Sequence, residues 1–291
     1  MSVIGGCVVQ TFLLLLCVFF TVIQQVGRKE YNRRNSDGAY TFSFGGVVTT
    51  IIYFAVVSGG NLKFPAEALI YAAPFSICYA LAYFFTMKAI QTGPLSITSL
   101  IISYSLIIPT LYGVIALSEP FTLTLMIAVI LLMISLALVE GSGKNSRKTI
   151  SLKWAVYAGI TFLSNGVCAT IQKVFQANYQ GAYSNSFMLI SLLLTAVLLG
   201  ICALLRERDA FPKYIKKGLP WFGICGVGNG AANQITMILA VDMSASVLYP
   251  VLSGGGVILT VAISLLFYRE KLSFKQWIGL IFGVAAVIIL S

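Results

Sequence analysis

The chain has no histidine, and only nine Asp and Glu stand among its 291 residues against nineteen Lys and Arg. Histidine is the commonest general base and a frequent metal ligand, so its absence removes the simplest hydrolytic and metal-centred chemistries. None of the acids falls in the middle of an apolar run, which leaves no buried carboxylate pair for catalysis and no acid relay for protons or sodium. The six cysteines (Cys7, Cys17, Cys78, Cys168, Cys202, Cys225) lie inside apolar runs without a CxxC pair. A disulfide framework, a Cys/His metal site and a bound cofactor are therefore not expected. An enzyme acting on lipid or peptide within a membrane needs a base, an acid pair or a metal cluster, and the expectation is that this chain is not an enzyme.

What the chain does have is apolar surface: 58% hydrophobic residues, 10% charged, and a mean hydropathy of +0.93. A water-soluble globule cannot hide that much, so lipid must solvate it. A hydrocarbon core of about 30 Å needs about 20 helical residues to cross. Apolar runs of that length centre near Leu16, Val48, Cys78, Ser105, Leu131, Ser164, Leu193, Asn229, Gly256 and Phe282. They are long and continuous rather than alternating, which selects helices over a β-barrel. The run from Val3 to Val26 is too long for an ordinary signal peptide and has no basic residue before it, so it reads as the first span. The fold class expected is all-α integral membrane, ten transmembrane helices, in a multi-pass protein of the cell membrane.

The sequence also repeats itself. Gly38-Ala39-Tyr40-Thr41-Phe42-Ser43-Phe44 returns as Gly181-Ala182-Tyr183-Ser184-Asn185-Ser186-Phe187. Upstream, Ile23, Gln24, Val26 and Tyr31 match Ile171, Gln172, Val174 and Tyr179; downstream, Ala89 and Glu119 match Ala240 and Glu270. Three anchors in one order indicate two units, 1–143 and 150–291. Each holds five spans, an odd number, so the second unit enters the bilayer from the opposite face and becomes an inverted repeat.

The net charge of +10 is distributed as topology rather than as a nucleic-acid surface. Basic clusters follow span 1 (Arg28, Lys29, Arg33, Arg34), span 5 (Lys144, Arg147, Lys148, Lys153), span 7 (Arg206, Arg208, Lys213, Lys216, Lys217) and span 9 (Arg269, Lys271, Lys275), all at one face. That face is expected to be cytoplasmic, with both termini on the other side. Nucleic acid is not an expected partner; a small-molecule substrate and membrane lipid are.

Polar residues inside the spans fall on single helical sides. Ser76, Tyr79, Tyr83 and Thr86 share one side of span 3, and Ser96, Ser99, Ser103 and Thr110, with Tyr104 adjacent, share one side of span 4. Thr161, Ser164, Asn165, Cys168 and Gln172 line span 6; Asn229, Asn233 and Thr236 line span 8. An amide facing lipid would cost roughly 2 to 7 kcal/mol, so the asparagines face protein or water. Two readings stand: bonds between helices, or the lining of a central cavity. The cavity reading assigns substrate binding to Tyr79, Tyr83, Tyr104, Asn165, Gln172, Asn229, Asn233, Tyr249 and Gly255. Ser253-Gly254-Gly255-Gly256 either unwinds beside a ligand or lets another helix approach, and Gly279 with Gly283 reads as helix contact. Lys88 and Lys173 close spans and are expected to snorkel, while Glu119 and Glu270 are expected to cap the span that follows each.

Ten short-looped spans in two five-span units, each fourth span ending in Glu (Leu117-Ser118-Glu119-Pro120; Tyr268-Arg269-Glu270-Lys271), with Ala89-Ile90-Gln91-Thr92 and Ala240-Val241-Asp242-Met243 before spans 4 and 9, resemble the EamA-like branch of the drug/metabolite transporter superfamily. The resemblance implies a carrier for small metabolites or drugs, with a cavity lined by spans 1, 3, 4, 6, 8 and 9, and a homodimer contact through spans 5 and 10. Family members are commonly drawn with both termini cytoplasmic, whereas the basic loops here place them on the opposite side. The functional expectation is a secondary-type transporter working by alternating access, with a lipid flippase or channel-like facilitator on the same fold as the alternative.

Overall fold

A computed structural model of the chain describes residues 3–35, 37–60, 63–92, 98, 102–120, 122–140, 151–268 and 274–290. Among them are ten α-helices and no strand: α1 (Val3–Arg34), α2 (Ala39–Ser58), α3 (Leu69–Thr92), α4 (Ile107–Ala116), α5 (Leu123–Glu140), α6 (Leu152–Tyr179), α7 (Ser184–Arg206), α8 (Phe211–Asp242), α9 (Ala245–Tyr268) and α10 (Phe274–Leu290). Six segments are long and apolar enough to cross a bilayer by length and composition: Val8–Asn32, Ala39–Ser58, Ala66–Thr92, Leu152–Tyr179, Ser184–Arg206 and Arg208–Asp242. Shorter apolar helices occupy Ile102–Ala116, Leu123–Ser135 and Trp277–Ala286. The chain is thus an all-helical, multi-pass membrane protein, and the count of ten spans reaches beyond these six.

Helix boundaries follow local chemistry. The duplicated strings share a turn, because Gly38 and Gly181 both hold left-handed backbone, with φ of +85° and +83°, ahead of α2 and α7. A Cβ is strained there, which explains the glycine at the head of each string. The Ser151 hydroxyl accepts the Trp154 amide at 3.2 Å and caps α6. At the opening of α2 the Glu207 carboxylate, from just beyond α7, accepts the amides of Tyr40 (3.2 Å) and Thr41 (2.9 Å) and the Thr41 hydroxyl (2.7 Å). A carboxylate there satisfies orphan donors and opposes the helix dipole.

The main helix pairings are α1 with α8 and α9, α3 with α6 and α7, α2 with α7 and α8, α4 with α6 and α9, and α5 with α10, together with α9 with α10 and α6 with α8, which have no counterpart of similar extent among the described residues. Advancing every helix number by five turns α1·α8 into α6·α3, α2·α8 into α7·α3 and α1·α9 into α6·α4, and returns α2·α7, α4·α9 and α5·α10 to themselves. Phe42, Phe54, Phe75, Phe175, Phe187, Met188 and Met237 fill the interior of this arrangement, while Leu15, Val56, Ile70 and Leu205 stay exposed. Aliphatic side chains on the outside are what a lipid-solvated surface carries.

At the α2–α8 crossing small residues let backbones meet. A Cβ on Gly226 would press on the Thr49 side chain and stand 2.9 Å from the Gly46 carbonyl oxygen. The Thr50 hydroxyl donates across the same gap to the Gly226 carbonyl at 3.2 Å. Gly226→Ala is expected to destabilise the protein by about 1–3 kcal/mol, because the obstruction is the Cβ of a β-branched residue and a backbone carbonyl rather than the far end of a flexible side chain. Thermal unfolding in detergent checks this; a variant as stable as the wild type would refute the tight crossing.

Candidate functional site: an amide network beneath an open crevice

The repeat-related glutamines Gln24 and Gln172 meet at α8. Gln24 Nε2 donates to Asn229 Oδ1 at 2.8 Å, and Gln172 Nε2 donates to Asn233 Oδ1 at 2.8 Å. Asn229 and Asn233 are one helical turn apart, so α8 presents one amide to α1 and one to α6. Asn233 Nδ2 ties the two levels together by donating to the Asn229 backbone carbonyl at 2.9 Å and to its Oδ1 at 3.1 Å. Asn229 Nδ2 donates to the Tyr79 hydroxyl oxygen and to Thr50 Oγ1 at 3.3 Å. Side chains from α1, α2, α3, α6 and α8 therefore share one buried network.

A crevice of about 590 Å³ opens beside this network. Its walls come from the end of α2 and the following loop (Phe54, Ser58, Lys63), the α6–α7 turn (Gly181, Tyr183, Ser184, Asn185, Ser186) and the last turns of α8 (Gln234, Met237, Ile238, Val241, Asp242). Its floor includes Gln176, whose Nε2 donates to the Met237 carbonyl at 2.6 Å and to Ser184 Oγ at 3.0 Å. Gln176 lies one turn beyond Gln172, and Gln234 directly follows Asn233, so the crevice lining neighbours the network along α6 and α8 without including its amides. Gln234 on the wall accepts from the Tyr53 hydroxyl at 2.5 Å. The opposite end is packed: Tyr31 is fully buried against Phe42, with ring centroids 4.3 Å apart, and Glu207 pins the start of α2.

Of the nine residues expected to bind substrate, Tyr79, Gln172, Asn229 and Asn233 are brought together in the network. Tyr83 lies one turn below Tyr79, with ring centroids 6.0 Å apart. The others serve different contacts. Asn165 Nδ2 donates to Ser105 Oγ at 2.6 Å, Tyr104 donates to the Met133 carbonyl at 2.9 Å, and the buried Tyr249 donates to the Ala169 carbonyl at 2.8 Å. Helix α9 runs unbroken through Gly254–Gly256, and a Cβ on Gly255 would stand 3.0 Å from Val18 Cγ2. Of the two readings of that glycine run, the geometry at Gly255 is close approach by α1. Gln24, Thr50, Gln176 and Gln234 were not singled out as site residues; only Gln24 carried a signal, as the repeat mate of Gln172. Ser96 and Ser99 of the span 4 stripe lie outside the described residues.

Two expectations about charged residues are corrected. Lys173 does not snorkel: it is 7% exposed, and its ammonium donates to the carbonyls of Ala240 (3.0 Å) and Met243 (2.5 Å) at the end of α8. Glu119 caps α9 of the other repeat rather than the next helix, accepting the amides of Ala245 (2.7 Å) and Ser246 (2.9 Å). Its Oε1 lies 3.9 Å from the Lys173 ammonium. The α8–α9 break thus offers free carbonyls to a cation and free amides to an anion, and both ions are buried together. Glu270 lies outside the described residues. Gly283 packs on Ser135 at the α5–α10 contact, in keeping with its reading as a helix contact. Among the described residues no group of His, Cys, Asp or Glu side chains could hold a metal ion.

Residues 152–291 match the model of the EamA-like transporter family, which supports the resemblance read from the sequence. A crystal structure of another protein superposes with a TM-score of 0.77 at 12% identity, covering 96% of this chain and 95% of that one, a likeness of fold alone. No curated protein matches the sequence significantly.

Proposed function

We propose that the chain is a secondary-type transporter that moves a small polar or amphipathic metabolite by alternating access between two inverted five-helix repeats, 1–143 and 150–291. The observation that carries this reading is the paired grip of Gln24 and Gln172 on Asn229 and Asn233, directly below an open crevice. Residues matched in the sequence of the two units converge on one helix, and most of the larger helix pairings have a counterpart when the units are exchanged, which supports this reading. A structure with that symmetry has a near-equivalent state in which the crevice closes and the opposite end opens. The crevice is then an outward-facing vestibule in the cell membrane, opposite the basic loops, and the network is where substrate is held at mid-passage. Tyr79, Tyr83, Gln172, Asn229 and Asn233 are the binding side chains in this reading. The exposed apolar side chains Ile127, Ile130, Trp277 and Ile281 of α5 and α10 support a homodimer contact there.

The test needs no knowledge of the substrate. In a chain whose native cysteines are replaced by alanine, Thr50→Cys places a thiol beside Asn229 and Gln234→Cys one on the crevice wall. A membrane-impermeant thiol reagent is expected to label Gln234→Cys from one face only, and Thr50→Cys from either face but more slowly. A Thr50→Cys thiol inert from both faces would sink alternating access, and non-saturating solute flux would favour the channel-like facilitator.

A further inference from the structure

We infer that Arg28 is the counter-charge for an oxyanion, carboxylate or phosphate, carried by the transported solute; this rests on the transporter reading above. Helix α1 sets Gln24, Arg28 and Asn32 on one face by i, i+4 spacing, and α3 sets Tyr79, Tyr83 and Met87 opposite. The two faces meet level by level. At the first level Gln24 and Tyr79 both bond Asn229. At the second, the Arg28 guanidinium carbon lies 4.4 Å from the centroid of the Tyr83 ring. At the third, Asn32 Nδ2 reaches Met87 Sδ at 3.8 Å.

Satisfaction of polar groups changes abruptly between these levels. The network at the first level is bonded, whereas Arg28 Nε and Asn32 Oδ1 are buried with no hydrogen-bond partner, and the buried Tyr83 hydroxyl, close to Arg28 and Gln24, makes no well-formed bond to either. Tyr83 as a whole is 3% exposed. Buried polar atoms left in this condition cost about 1–3 kcal/mol each, and three neighbouring ones mark a place built for something else. Arg28 sits one turn, about 6 Å, from the level of the network, within the span Val8–Asn32. An ionised side chain at such depth requires a partner or water. The ion pairs among the described residues are Arg34 with Glu30 at 3.9 Å and Lys173 with Glu119, and Arg28 belongs to neither.

The chemistry of the unmet groups selects the ligand. A guanidinium offers a planar fork of donors that matches carboxylate or phosphate oxygens two at a time, and a tyrosine hydroxyl adds one more donor. The remaining orphan, Asn32 Oδ1, accepts, and suits a hydroxyl or ammonium hydrogen on the same solute. The three groups lie on the far side of the network from the open crevice, so they are reached when the opposite end opens. The lysines and arginines of that end raise the local concentration of anions.

The experiment uses the full chain in neutral phosphatidylcholine discs, with glutamate and glycerol 3-phosphate as anionic probes and lysine and glycerol as charge controls. One or both anions are expected to raise the unfolding temperature of the wild type with concentration, and the controls are not. Arg28→Gln is expected to weaken that binding by about tenfold or more, equivalent to about 1.4 kcal/mol. Arg28→Lys should retain part of it, and Tyr83→Phe should weaken it a few-fold while keeping the ring under the cation; these two also cover the case in which Arg28→Gln does not fold. The inference is overturned if neither anion stabilises the wild type, if lysine stabilises it equally, or if Arg28→Gln binds anions unchanged. It is also overturned if phosphatidylglycerol added to the discs, rather than either soluble anion, gives the Arg28-dependent stabilisation, since the guanidinium then holds a lipid headgroup. Saturable transport of neutral solutes that ignores Arg28 but fails on mutation of Asn229 would end this inference and leave the transporter reading standing.

Discussion

Replacing Asn229 with alanine is expected to abolish saturable solute uptake into proteoliposomes, at least about a hundredfold below wild type. The side chain is bonded to four residues from three other helices and its own: Gln24, Tyr79, Thr50 and Asn233. Truncation strands all four partners in a site that water does not freely enter, and each such group costs about 1–3 kcal/mol. Interhelical bonds in membranes average nearer about 0.6 kcal/mol because partners rearrange, so the loss in stability should be modest, about 2–4 kcal/mol in total. The loss in flux should exceed it, since rearranged partners no longer present the same amides to a solute. Asn229→Asp keeps the acceptor for Gln24 but removes the donor to the Tyr79 hydroxyl oxygen and Thr50 Oγ1, and is expected to transport poorly. Wild-type uptake by Asn229→Ala at equal protein in the bilayer would show that the network only holds helices together.

Breaking the buried Glu119–Lys173 pair is the second large effect. Removing one member of a buried ion pair typically costs about 3–5 kcal/mol, because the other is left without compensation. Glu119→Gln leaves the Lys173 ammonium facing only the α8 carbonyls, and Lys173→Met leaves the Glu119 carboxylate facing only the α9 amides. Each single variant should unfold at markedly lower temperature, and the double variant should lose less than the two together by about 1–3 kcal/mol. Strict additivity would mean that each ion simply caps its own helix end and that the 3.9 Å contact between them contributes nothing.

Much of this was legible in the sequence, and the reasons for what was not are specific. The helical class and the mid-span amides of Gln172, Asn229 and Asn233 were visible because apolar length and a lone amide in it leave few alternatives. Gln24 was visible only through its match to Gln172; next to Arg28 and Lys29 it reads as the polar end of a span. Helix α1 instead continues to Arg34, carrying that basic cluster along the helix. Glu119 was correctly placed at a helix terminus but assigned to the wrong helix. The chain order offers α5 as the nearest set of free amides, while in space α9 supplies them. Lys173 failed for a related reason: an aliphatic stem near a span end fits snorkelling until the frayed carbonyls of α8 are known to lie beside it. Asn165 and Tyr249 share polarity and depth with the network residues, and periodicity alone cannot tell an amide that reaches a void from one that reaches Ser105.

The carboxylate at the end of α4 has a consequence for how the protein is made. Its partners, the amides of Ala245 and Ser246 and the ammonium of Lys173, all belong to chain synthesised after it. During insertion the nascent first half must therefore hold an acid without its ammonium partner until the sixth helix is made, and without its amide partners until the ninth arrives. Expressed without its second half, that fragment would keep a frayed terminus and an unmatched charge, and quality-control proteases would meet it there.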